Sequence, residues 1–93
     1  MTPKEIAEKI IPILKSYGAR RASIFGSAAR GEAGAKSDVD LLIDIEKDIS
    51  LLEFVKIKQL LEEKLDRRVD LIEYETLKPA IREKILKDQV SIL

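Results

Sequence analysis

A small mixed β-sheet with helices packed on it, in the α/β (α+β) class, is the fold this sequence predicts. Three observations carry that expectation. Short apolar runs of strand length recur at 21–25, 38–45 and 69–72. Capped helical repeats stand before, between and after them. The second and third runs are joined through a helix, for which a parallel, right-handed crossover is the default. With 93 residues the chain fits one small domain, residues 1–93.

The elements follow in order. Thr2 can cap a helix, Pro3 suits its first position, and Glu5 completes a capping box. Ile6, Ile10, Ile13, Leu14 and Tyr17 then recur at helical spacing, with Pro12 expected to kink the helix or end its regular hydrogen bonding, and Gly18 as the stop. Arg21 to Phe25 reads as a first strand. Gly26 to Lys36 reads as a turn, with room for one helical turn at 27–30. Asp38 to Ile45 reads as a second strand: Val39, Leu41, Ile43 and Ile45 fall on one face, and Leu42 makes the other face apolar too, as suits a strand inside a sheet. Ser50 and Glu53 form a second capping box, opening a helix through Leu65 with a Phe54, Ile57, Leu61, Leu65 stripe. After a turn at 66–68, Val69 to Ile72 is a third strand. Pro79 starts a last helix with Ile81 and Ile85 one turn apart, and Ser91 to Leu93 reads as a final short strand. The first two strands, joined by a short Gly-rich link, are free to run antiparallel.

Composition narrows the chemistry. There is no Cys and no His, so disulfides, thiol catalysis, zinc–thiolate sites and Ser-His triads are excluded. Reactive groups must come from Asp, Glu, Lys, Arg, Ser, Tyr and the backbone, and a metal would be a hard cation such as Mg²⁺, Mn²⁺ or Ca²⁺. Seventeen basic and seventeen acidic residues give zero formal net charge. With only two Tyr and two Phe, the balance argues against a nucleic-acid partner. No apolar run approaches the about 20 residues of a membrane span, and no signal-peptide core follows Met1, so a cytoplasmic location is expected.

Two clusters stand out. Asp38 and Asp40 are two apart, which on a strand puts both carboxylates on one face. Such close like charges repel unless a cation lies between them. Asp70 is the only carboxylate between Val69 and Ile72; if the third strand lies beside the second, it points to the same place. Three converging carboxylates can hold two Mg²⁺ ions for an in-line phosphoryl displacement. Asp44 shares their face but lies about 13 Å further along than Asp40, and reads as a strand-end surface acid. The second cluster is Gly26-Ser27 directly after a strand. Glycine admits a phosphate to the backbone, adjacent N–H groups and the Ser27 hydroxyl can grip its oxygens, and Arg30 can neutralise its charge. A P-loop is ruled out because Arg30 and Ala35 occupy its two glycine positions before Lys36-Ser37. The Rossmann spacing is absent, and Asp38-Val39-Asp40 runs into Leu41-Leu42-Ile43 rather than an EF-hand loop.

Taken together, Gly26-Ser27-Ala28-Ala29-Arg30-Gly31 and Ser37-Asp38-Val39-Asp40-Leu41-Leu42-Ile43 resemble the signature of the nucleotidyltransferase superfamily related to DNA polymerase beta, and the short length resembles its minimal nucleotidyltransferase (MNT) branch. The resemblance spans nearly the whole chain. It implies the nucleotidyltransferase fold and transfer of a nucleoside monophosphate, AMP from ATP, to a hydroxyl with release of pyrophosphate. By the same resemblance Gly26 and Ser27 would hold the triphosphate and Asp38, Asp40 and Asp70 would bind two Mg²⁺ ions, with Mn²⁺ as a substitute. Asp70 would also help activate the acceptor hydroxyl. Arg30 and Ser37 match positions near the phosphates. Members of that branch are often antitoxins that adenylylate a tyrosine of a partner HEPN ribonuclease toxin. Two alternatives stay open at the level of sequence: a non-catalytic module that neutralises its partner by binding, and nucleotidyl transfer to a small molecule.

Overall fold

The computed structural model describes residues 2–26, 29, 38–45 and 48–93. Helix α1 covers Pro3–Ser16. Thr2 caps it, its hydroxyl accepting the Glu5 amide and donating to Glu5 Oε1, both at 3.2 Å. Pro12 does not end the helix, which runs on to Ser16. Pro12 and Glu8, whose carbonyl loses its partner to the missing N–H, are both exposed, so water can replace the bond. The buried side is Ile6, Ile10 and Leu14. Gly18, at φ +81°, turns the chain out, its amide donating to the Lys15 carbonyl at 3.0 Å.

Strand β1, Ala19–Phe25, pairs antiparallel with β2, Val39–Ile45. Helix α2, Leu51–Leu65, starts at Ser50, whose hydroxyl accepts the Glu53 amide at 3.1 Å, and ends at left-handed Asp66. It delivers β3, Val69–Glu73, parallel to β2, as the crossover rule requires. A 3₁₀ turn at Tyr74–Thr76 leads to α3, Pro79–Asp88, and to β4, Val90–Ser91, antiparallel to β1. The sheet order is β3-β2-β1-β4. The last strand begins one residue earlier than the sequence suggests and is shorter. Ile92 and Leu93 nonetheless stay tied to Ala22 through backbone bonds of 2.9 and 3.3 Å.

The core lies on one face of the sheet. There α1 and α2 set Ile6, Ile10, Leu14, Ile57, Leu61 and Leu65 against Ala22, Ile24, Val39, Leu41, Ile43, Val69 and Leu71. Alternation along each strand sends the intervening residues to the opposite face. Strand register sorts those residues into rows: Phe25, Asp40 and Asp70; then Ser23, Leu42 and Ile72; then Arg21 and Asp44. Leu42 is fully buried on this second face, and Tyr74 is 5% exposed. Helix α3 starts at Pro79 as expected and fully buries none of its residues: Ile85 is half-buried and Ile81 is 49% exposed.

Candidate functional site

The first row of the second face gathers the acids. Asp40 faces Asp70 in register across the parallel β2–β3 pair, on strands spaced about 4.8 Å apart. Asp38 sits two residues before Asp40 and is exposed, as is Asp70, whereas Asp40 is half-buried. The Asp40 carboxyl is pushed up from 3.8 to about 6. Burial is the largest cause; a hydrogen bond with Asp70, the Asp70 charge and the Asp38 charge add to it. The three acids singled out from the sequence therefore act on one another, with Asp40 in the middle. Among the described residues no group of three acidic side chains is closed into a ready metal cage. Asp40 and Asp70 form the hydrogen-bonded pair, and Asp38 reaches it through charge alone.

Gly26 adds backbone to this cluster. Its φ is +71°, and a Cβ there would stand 2.5 Å from Asp40 Oδ2. The glycine does two things at once: it takes the left-handed turn at the end of β1 and lets the turn lie against the carboxylate. Ser27, Arg30 and Ser37, the other expected phosphate contacts, lie outside the described residues.

Lower on the same face, Asp44 is not the surface acid expected of it. Its side chain is 15% exposed and takes Arg20 Nη2 at 3.0 Å and Arg21 Nε at 3.6 Å. The cause is a register shift between Ala19 and Arg21. A bulge sets two residues against one, so consecutive arginines reach the same carboxylate. Tyr74 is a second feature that the sequence pattern does not single out. Its hydroxyl donates to Gln89 Oε1 at 3.1 Å and accepts from the buried Ser23 hydroxyl at 2.5 Å. The Arg21 guanidinium lies 4.4 Å over its ring. The available signal is an aromatic inside the mostly polar connection after β3. These contacts fasten β1, β2 and the start of β4 together beneath the acid row.

Chemically, the row offers hard carboxylate oxygens and a glycine turn open to an anion. Burial raises the Asp40 carboxyl most, and the charges of Asp70 and Asp38 add to it; a divalent cation would relieve that repulsion, so the donor set fits Mg²⁺ or Mn²⁺.

The family described as Polymerase beta, Nucleotidyltransferase matches residues 8–93. A Methanocaldococcus jannaschii chain, MJ0435, provisionally named a protein adenylyltransferase, is 44% identical over 93 residues, covering 100% of both chains. The protein adenylyltransferase MntA of Thermococcus cleftensis is 42% identical over 76 residues, covering 82% of this chain and 77% of its own. A solved structure provisionally identified as a minimal nucleotidyltransferase superposes with a TM-score of 0.81 at 37% identity, over 94% of this chain and 89% of that one. Solved toxin–antitoxin complexes share the fold at 16–21% identity and TM-scores of 0.74–0.82, over 90–97% of this chain and 68–72% of theirs. One of them holds AMP-PNP, and another pairs a tri-AMPylated Shewanella oneidensis HEPN toxin with its MNT antitoxin.

Proposed function

The chain belongs to the Polymerase beta nucleotidyltransferase family, and from that premise we propose that it moves AMP from ATP onto a tyrosine hydroxyl of a partner HEPN ribonuclease toxin, acting in the cytoplasm as the antitoxin of the pair. The observation that carries this reading is the Asp40–Asp70 pair with Gly26 packed against it. The relatives named as adenylyltransferases support the nucleotide. The toxin complexes, related in fold, support the kind of partner.

In this reading each residue has a role. Asp38, Asp40 and Asp70 hold Mg²⁺, which when bound supplies positive charge against the electrons gathering on the α-phosphate and the leaving oxygen. Gly26 and Ser27 grip the triphosphate, with Arg30 and Ser37 beside it. Asp70 accepts the proton of the tyrosine hydroxyl. The phenolic oxygen bonds to the α-phosphorus, the bond from that phosphorus to the bridging oxygen breaks, and pyrophosphate leaves with the electron pair.

The test is incubation with ATP, Mg²⁺ and a HEPN ribonuclease toxin from the neighbouring reading frame of the source genome, chosen by its sequence, followed by mass spectrometry of that toxin. The expected result is added AMP on a tyrosine, abolished by Asp38→Asn with Asp40→Asn. Absence of adenylyl mass, together with toxin neutralisation by that double variant as complete as by the native chain, would overturn the catalytic reading.

A further inference from the structure

Two surfaces of this chain, both distant in role from the acid row, complement each other. The first is a groove of about 420 Å³ where the start of α2 meets β3, lined by Ile49, Leu51, Phe54, Leu71 and Ile72. Leu51 and Leu52 beside it are 79% and 80% exposed, and Val55 is 40% exposed. Isolated exposed leucines are ordinary, but a contiguous patch around an apolar groove marks a contact surface. Its rim is mainly acidic. Glu73 lines the groove, and an adjoining polar hollow of about 130 Å³ that shares Ile49 and Glu73 adds Asp48 and Glu75, together with Asp44 and the Arg20 that bonds it at 3.0 Å.

The second surface is α3. It buries none of its residues, and Ile81 stands 49% exposed on it. Lys78 and Lys84 lie one turn to either side of Ile81, with Arg82 next to it, and all three are exposed. An apolar centre flanked by cations thus faces outward. The C-terminal end of α3 is anchored to its own sheet by the Tyr74–Gln89 hydrogen bond and by β4, so occupying the groove calls for the α3 of another molecule.

We propose that this protein pairs with a second copy of itself, α3 of each copy seated in the α2–β3 groove of the other. Two-fold symmetry uses the same contact twice, which suits an isologous dimer built from a short helix. Burial of Ile81 against Leu51 and Phe54 supplies the attraction. Lys78 and Lys84 against Glu73 and Glu75 set the register and the partner's orientation. This pairing stands whether or not the chain transfers AMP, since it draws on none of the site residues.

Sedimentation equilibrium of the full chain, from about 10 µM to about 1 mM at low salt, reads it directly. The expected result is a rise in apparent mass toward twice that of the monomer. Leu51→Asp with Leu52→Asp, at exposed positions that leave circular dichroism unchanged, holds the mass at the monomer value. Glu73→Lys with Glu75→Lys, or Lys78→Glu with Lys84→Glu, weakens the dimer about tenfold or more, and mixing the two charge-reversed chains restores association. A monomer throughout the concentration range would overturn the proposal. So would a dimer that these substitutions leave unchanged, or charge-reversed chains that fail to re-associate.

Discussion

Asp40 gives up its proton late, because its surroundings are half-dry and its neighbours are acids, and that fixes the sign of its pH dependence. The folded-state value of about 6 lies above the ordinary 3.8. Below about pH 4 the group is protonated in both states and its contribution to stability is complete. Between about pH 4 and 6 the folded chain keeps a proton that the unfolded chain has lost, so stability falls as pH rises, and it levels off above about 6. Urea unfolding without divalent cations is expected to show this decline, and Asp40→Asn is expected to flatten it. Adding Mg²⁺ is expected to stabilise the native chain more at neutral pH than at pH 5, because proton and cation compete for the same oxygens. The two left-handed glycines separate strain from function at the same scale. At Gly18, φ +81° with nothing within 4 Å of where a Cβ would stand, alanine costs only the left-handed strain, about 1 kcal/mol, and leaves activity alone. At Gly26 the added carbon meets Asp40 Oδ2. Gly26→Ala is therefore expected to cost about 1–3 kcal/mol in unfolding experiments and to lower transfer on the order of 100-fold by displacing the carboxylate.

Among the elements, the β2–α2–β3 unit is the part most fully written in the sequence. Ser50 and Glu53 fix where α2 begins, its Ile57, Leu61 and Leu65 fix the face it buries, and the crossover handedness then brings Asp70 beside Asp40. What the sequence does not display is how the second face is closed. That depends on Tyr74 reaching Ser23 and Gln89, residues 51 and 15 positions away. It depends also on a bulge whose only local trace is two adjacent arginines. Helix propensity marks α3 correctly but says nothing of its burial, because its Ile81 and Ile85 look alike in sequence and differ in exposure. Tyr74→Phe tests this closure. It removes one hydroxyl, leaves the ring under Arg21, and strands Ser23, which is 2% exposed. The expected cost is about 1–3 kcal/mol. Amide hydrogen exchange is expected to quicken selectively in α3 and β4, while α1 and α2 keep their protection.

At the scale of the whole molecule, one sheet divides two tasks: α1 and α2 bury one face for stability, and the other face carries the acid row beside buried Leu42, Ser23 and Tyr74. The division explains why alternation, together with the crossover rule, makes the core face and the acid row legible. The same strand period that puts Val39, Leu41 and Ile43 in the core puts Asp40 and Asp70 opposite it. The identity of a bound group leaves no such trace, since carboxylates beside a glycine turn suit a hard cation and an anion in general without selecting a base or an acceptor. Cooperative folding of so small a chain nevertheless makes ligand binding visible as stability. If the acid row and glycine turn form one nucleotide site, ATP with Mg²⁺ at about 100 times its Kd adds about 2.7 kcal/mol. For a domain of this size that is a rise in Tm on the order of 10 °C. The rise should need both components, because ATP alone brings further negative charge to Asp38, Asp40 and Asp70. Asp38→Asn with Asp40→Asn should abolish it while raising the ligand-free Tm, since the same change removes the repulsion at Asp40. Differential scanning calorimetry of both chains decides the matter. Equal rises in the two would place the nucleotide elsewhere on the molecule, and a ligand-free variant less stable than the native chain would mean that the acids hold the fold together rather than strain it.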